Sequence, residues 1–202
     1  MKNQFLLLLL ATILIISCQK TVHETIPEPV VTPANPTTAA VLYTIQKGQQ
    51  YCDKNNYTTV SVNELKFKVK FDSTAIYTTV NPANQGDINK LYGFSVNNAQ
   101  HHLFSARFGW RWYNNAIEIF AYIYNNGVVA YKKIGTASIN ANLTYSIKVQ
   151  AENYLFSFGD TVVTMPRAST TATGLGYKLF PYFGGDELAP HDVKILIEEL
   201  QN

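Results

Sequence analysis

The stretch Phe-Ser-Ala-Arg-Phe-Gly-Trp-Arg-Trp-Tyr-Asn-Asn-Ala-Ile-Glu-Ile-Phe-Ala-Tyr-Ile-Tyr-Asn-Asn-Gly-Val-Val-Ala-Tyr, Phe104 to Tyr131, decides the fold. Two runs alternate with period two on either side of Asn114-Asn115, and Asn tolerates the positive φ that a two-residue hairpin turn requires. Such a turn sets Tyr113 against Ala116. Counting back pairs Trp112 with Ile117, Trp110 with Ile119, Phe108 with Ala121 and Ala106 with Ile123, so one face is wholly apolar. The opposite face pairs Arg111 with Glu118, Gly109 with Phe120, Arg107 with Tyr122 and Ser105 with Tyr124. A slip by one residue would expose two Trp and bury two Arg, which pins the register. Asn126-Gly127 is a second hairpin dipeptide, setting Val129 against Tyr124 and Tyr131 against Tyr122. A third strand thereby extends the aromatic face.

Working outward, Glu64 to Phe71 is a clean strand, with Leu65, Phe67, Val69 and Phe71 on one side and Lys66, Lys68 and Lys70 on the other. The lysine row reads as a solvated face or a guarded edge, with a polyanion patch as the functional alternative. Further strands are expected over Val41–Gln46, Leu91–Val96, Leu143–Gln150, Tyr154–Phe158, Thr161–Met165, Gly176–Phe183 and Asp192–Leu200, divided by turn residues. Helical periodicity is almost absent. Ten or more short strands with turns between them predict an all-β fold, a two-sheet antiparallel β-sandwich.

The chain has 202 residues, a formal net charge of +2 and thirteen tyrosines. A near-balanced charge gives no support for nucleic-acid binding by bulk electrostatics. At the N-terminus, Met1-Lys2 precedes an apolar run from Phe5 to Ile16 that ends at Ser17-Cys18. A run of about twelve residues is too short to span a bilayer, so residues 1–18 read as a signal peptide. Ile15-Ile16-Ser17-Cys18 resembles the lipobox of bacterial lipoproteins, which implies lipidation of Cys18 and anchorage in the cell envelope, at the outer membrane. Residues 19–40 hold four of the eight prolines and no periodicity, an extended linker. Residues 41–202, about 160, suffice for a single domain, read as a monomer. Cys52 has no intramolecular partner once the leader is removed and reads as a small buried residue.

Ser105 to Trp112, the Asn-Gly hairpin and the closing Gly176-Tyr177-Lys178-Leu179-Phe180-Pro181-Tyr182-Phe183-Gly184-Gly185-Asp186-Glu187-Leu188-Ala189-Pro190-His191-Asp192 resemble a family of secreted lipoproteins of Bacteroidota. That family is similar in architecture to the concanavalin A-like jelly rolls, the superfamily of legume lectins, laminarinases and several polysaccharide lyases. The resemblance implies a jelly roll that contacts polysaccharide. The chain departs from the enzymes of that superfamily: the laminarinase pattern Glu-x-Asp-x-x-Glu and the alginate-lyase signatures Arg-Ser/Thr-Glu-Leu and Gln-Ile/Val-His do not occur in it.

Sugar recognition needs flat aromatic faces for C–H surfaces and planar polar groups for hydroxyls or carboxylates. Phe120, Tyr122, Tyr124 and Tyr131 supply the first, and Arg107, Arg111 and Glu118 the second. A guanidinium fork suits a uronate carboxylate or a sulfate. The first functional expectation is therefore binding of polysaccharide, acidic glycan included, on this face. The second is a lyase acting by β-elimination, with Arg107 neutralising the substrate carboxylate and Tyr122 as base, or the pair His101 and His102 at the mouth of the same strand, His102 first among them. In a strand, His101 and His102 would point to opposite faces. A structural or assembly role is the third. No cofactor is implied. His191 and Asp192 read as loop ties, and Asp186 and Glu187 are the only acidic residues near them. Structural calcium, common in such jelly rolls by analogy, finds no dense acidic loop here, so no metal is assigned. Gly184-Gly185 is a backbone device and not a phosphate loop.

Overall fold

The computed structural model describes residues 38–201, so Cys18 and the leader lie outside the described residues, as does the linker up to residue 37. Among the described residues twelve strands form: β1 (Val41–Ile45), β2 (Thr59–Val62), β3 (Glu64–Phe71), β4 (Asn89–Ser95), β5 (Phe104–Tyr113), β6 (Ala116–Asn125), β7 (Val128–Ala137), β8 (Leu143–Gln150), β9 (Asn153–Phe158), β10 (Thr161–Pro166), β11 (Gly174–Leu179) and β12 (Val193–Leu200). They make two six-stranded sheets, ordered β1-β12-β3-β8-β9-β10 and β2-β11-β4-β5-β6-β7. Every pairing within them is antiparallel.

The β5–β6 register is the one the sequence predicts, from Tyr113 opposite Ala116 to Ser105 opposite Tyr124. Asn114 and Asn115 make the turn at φ 49° and 59°. Asn126 and Gly127 do the same at 51° and 80°, setting Tyr122 opposite Tyr131. The tryptophan side of this hairpin turns inward. Trp110 packs at 5.1 Å on Phe71 of the facing sheet, and Phe108 meets Phe67 at 5.9 Å and Tyr145 at 5.0 Å. Interlocked aromatic rings are therefore the centre of the core.

Three local expectations are corrected. The lysines of β3 guard no edge, because β3 lies inside its sheet between β12 and β8; they line its outer face, where Lys68 meets Glu198 at 3.6 Å. His101 and His102 lie in a turn before β5, so strand alternation does not apply, and their ring centroids are 4.2 Å apart. The last-but-one strand stops at Leu179. Pro181 has no N–H to continue a ladder, and pairing resumes as isolated bridges from Tyr182 to Lys90 and to Tyr51.

The segment between β3 and β4 decides what the outer face of the second sheet can do. Gly109 on β5 has no side chain, and a Cβ there would stand 2.5 Å from the Ile88 side chain. Ile88 fills that gap and forms a small apolar cluster with Phe120 and Tyr122. A glycine inside a strand thus marks where another segment lies across it.

Candidate functional site

The predicted arginine and tyrosine face exists, but it is not an open platform. At the hairpin end, Arg111 Nε donates to Glu118 Oε2 at 2.7 Å, Lys133 Nζ donates to Glu118 Oε1, and Arg111 Nη1 donates to the Gly86 carbonyl. Burial alone would raise the Glu118 carboxyl, but the bonds from Lys133 and Arg111 hold it below its ordinary value. Arg111 also lies 4.6 Å from the Tyr113 ring centroid and 5.0 Å from that of Phe120. These charges satisfy one another. Phe120 and Tyr122 are buried under Ile88, and Tyr131, exposed, stacks on Tyr122 with its ring tilted by only 8°. The strap from Gly86 to Ile88 is the physical reason that this half of the face is closed.

The other half opens into a cleft of about 470 Å³. Arg107 and Lys90 are among its lining residues, with Tyr124, His101 and His102 on the side of β5 and β6. Two aromatic pairs join them: Tyr51 against Tyr182 at 5.0 Å, and Tyr57 against Tyr177 at 5.3 Å. Tyr51 and Tyr57 are exposed, so each pair offers a ring surface to an incoming molecule. The Tyr182 hydroxyl donates to Gln50 Oε1 at 2.6 Å, while the Tyr177 hydroxyl accepts from the His101 backbone N–H at 2.9 Å. The same hydroxyl lies 3.1 Å from His101 Nδ1.

Arg107 is the chemically informative residue. It is 5% exposed, its Nε has no hydrogen-bond partner, and no carboxylate among the described residues pairs with it. The Tyr122 ring lies 5.8 Å from the guanidinium carbon. Burial pushes its pKa down to about 10, although the four phenols of Tyr122, Tyr124, Tyr177 and Tyr182 oppose that shift. Burial, with Arg107 beside it, pushes Lys90 down to about 8. Burial, Arg107 and His102 push His101 down to about 4, so its imidazole is neutral at pH 7. No lining residue is acidic. A desolvated cation without a counter-ion is costly, and an anion supplied from outside would offset that cost.

Of the residues selected from sequence, Arg107, Tyr124 and His102 line the cleft. Tyr122 lies beneath it with its phenol raised by burial and by the hydroxyl of Tyr124, an environment that disfavours the phenolate a base would need. Arg111, Glu118 and Phe120 belong to the closed half. His101, the neighbour of His102 in the sequence reading, lines the cleft as well. Lys90, Tyr51, Tyr57, Tyr177 and Tyr182 lie outside that reading, though Tyr177 and Tyr182 stand in the closing stretch that carries the family resemblance. Elsewhere, Glu187 accepts from the Val80 and Asn81 amides, and Asp192 from that of Lys47, so both tie loops. Among the described residues no group of three or more His, Cys, Asp or Glu side chains is placed to hold a metal ion. Cys52 is buried, with its thiol pushed up to about 11 chiefly by that burial.

No protein-family model matches the chain, and no curated protein matches it either. Solved structures do. Alginate lyase AlyC3 superposes with a TM-score of 0.55 at 11% identity, over 80% of this chain and 74% of that one. A Bacteroides ovatus GH16 protein of a mixed-linkage glucan locus gives 0.48 at 14% identity, over 78% of each chain. Carbohydrate-binding module CBM66 from Bacillus subtilis gives 0.40 at 10% identity, over 78% of this chain and 94% of that one. The likeness to the first shows the fold: the chain is an all-β, two-sheet antiparallel jelly roll.

Proposed function

We propose that this chain is a cell-envelope lipoprotein, anchored through Cys18 at the outer membrane, that binds an acidic polysaccharide in the cleft over Arg107. The observation that carries the reading is the buried, unpaired Arg107 guanidinium in a cleft lined by tyrosine pairs and free of carboxylates. An uncharged sugar would leave that cation as it found it, whereas a uronate carboxylate or a sulfate accepts a two-pronged guanidinium contact in a site sheltered from water. Tyr51 and Tyr57 offer ring faces to the sugar C–H surfaces on either side. That the solved structures of similar fold include an alginate lyase and a carbohydrate-binding module agrees with this reading. The test is calorimetric titration of the full chain with polygalacturonate, with dextran sulfate and with neutral dextran. Binding of an anionic polymer alone, lost in Arg107→Met, is expected. A protein that binds neither polygalacturonate nor dextran sulfate would remove the reading.

A second reading is favoured by one contact. The neutral His101 imidazole sits 3.1 Å from the Tyr177 hydroxyl, beside the cation that would neutralise a substrate carboxylate. β-Elimination removes the C5 proton of a uronate, forms the C4–C5 double bond and expels the O4 substituent, which takes up a proton. His101 and Tyr177 supply a proton acceptor and a proton donor in contact. Ultraviolet absorbance of the unsaturated product, rising on incubation with alginate or polygalacturonate, would establish the lyase. Tight binding with unchanged absorbance establishes binding alone.

A further inference from the structure

Lys90 is held as few surface lysines are. Its ammonium donates to the Ile88 carbonyl at 2.8 Å and to the Gly184 carbonyl at 3.1 Å, so two of its three N–H groups are spent on backbone. Both anchors come from the chain around it: Ile88 belongs to the strap laid over Gly109, and Gly184 follows the bridge between Tyr182 and Lys90. One donor remains, and the residue lines the same cleft as Arg107. The two cations share a ring as well, for Lys90 Nζ lies 5.5 Å from the Tyr122 centroid and the Arg107 guanidinium carbon 5.8 Å. Like charges so close in a sheltered site repel, and neither has a salt-bridge partner among the described residues.

Resting on the acidic-polysaccharide reading of the cleft, we infer that Lys90 and Arg107 grip one and the same anionic substituent of the ligand, and that affinity is gated by the protonation of Lys90. Arg107 supplies a fixed guanidinium and Lys90 a titrating point charge. The groups that face Lys90 fix the sign. Arg107 from β5 and burial favour its neutral form, and Asp87 from the preceding loop favours the charged one. His102, in the turn before β5, is itself pushed down by burial, by Arg107 and by Lys90, so it adds no charge at neutral pH. The Tyr122 ring from β6 and the Tyr182 backbone complete the surroundings. The free protein therefore sheds the Lys90 proton above about pH 8, and the second cation is then absent until an anion draws it back.

Titrating the full chain with polygalacturonate and with dextran sulfate, against a dextran control, between about pH 7 and 9, a range that crosses the Lys90 value of about 8 and stays below the Arg107 value of about 10, tests this. Neither a uronate nor a sulfate ester titrates in that window, so any change belongs to the protein. Wild type is expected to lose affinity as pH rises through it. Lys90→Met should bind about tenfold to a hundredfold more weakly at neutral pH, the worth of one charge-assisted contact, and show no such loss. Lys90→Arg should keep the neutral-pH affinity and also stay flat. The stronger of the two polymers identifies the anion as carboxylate or sulfate, and either supports the inference. If Lys90→Met matches wild type in affinity and pH profile while Arg107→Met abolishes binding, the role given to Lys90 is overturned and the polysaccharide reading stands. If wild type binds neither anionic polymer, or binds dextran equally well, that reading falls, and the inference with it.

Discussion

Arg107 sits where stability and binding pull in opposite directions. A guanidinium that is 5% exposed and lacks a counter-ion costs the folded state free energy that no contact among the described residues returns in full. Arg107→Met keeps much of the stem volume and removes the charge. It is expected to raise stability by about 1–2 kcal/mol, an upward shift in Tm of roughly 2–8 °C for a domain of this size, while abolishing binding of acidic polymers. Calorimetric melting checks the first effect, and a fall in Tm would make Arg107 a structural residue. His101 gives a second test at this scale. Its folded pKa of about 4 lies below the ordinary 6.5, so as pH falls the unfolded chain takes up this proton before the folded one. The stability it contributes is complete above pH 6.5 and is lost between 6.5 and about 4. Urea titrations in that window should show wild type losing more stability than His101→Gln; equal losses would mean that the ring titrates freely.

At the scale of elements, the strap over β5 closes half of a face that the sequence pattern leaves open, and Gly109 permits it. In Gly109→Ala the new methyl carbon would meet Ile88 at 2.5 Å with the β4 backbone close behind, at 3.3 Å from the Asn89 carbonyl. Overpacking of this kind costs about 1–3 kcal/mol, to be read as a lower midpoint in urea. Displacing the strap should also loosen Arg111, whose Nη1 bonds the Gly86 carbonyl. The same hairpin shows what sequence can and cannot reveal. Its register was legible because two asparagines set the turn and period-two alternation admits one solution. The strap was not, since Gly86, at the end of a short 3-10 helix (Pro82–Gly86), and Ile88 after it stand some twenty residues upstream of Gly109 in a segment that carries no period; only the glycine inside a strand hinted at it. Arg107 and Tyr124 were found by alternation. Lys90, Tyr51, Tyr57, Tyr177 and Tyr182 were missed because separate segments bring them together, Tyr182 only after Pro181 has broken the strand. The His101-His102 turn inverted the expected geometry, since in a turn both rings reach one side.

For the whole molecule, the entry strand and the cleft fall in different sheets. The chain enters the sandwich through β1, an edge strand of the first sheet, whereas the cleft is built on β4, β5, β6 and β11 of the second. The sheets are also locked to each other: Glu199 on β12 accepts from the Tyr92 hydroxyl of β4 and from Lys178 of β11 at 2.5 Å. On the lipoprotein reading proposed above, attachment through Cys18 and recognition in the cleft should therefore be separable by mutation. No helix among the described residues is long and apolar enough to cross a membrane. On the lipoprotein reading, acyl chains on Cys18 contribute roughly 0.8 kcal/mol of anchorage per buried methylene. Cys18→Ser should move the protein from the membrane fraction to the soluble fraction without changing its affinity for polygalacturonate, as measured on the two fractions side by side. If the variant stays with membranes, the lipid anchor is not at Cys18. A variant that is soluble yet no longer binds would show that recognition depends on the membrane surface, contrary to a cleft that Arg107 and its neighbours complete within the domain.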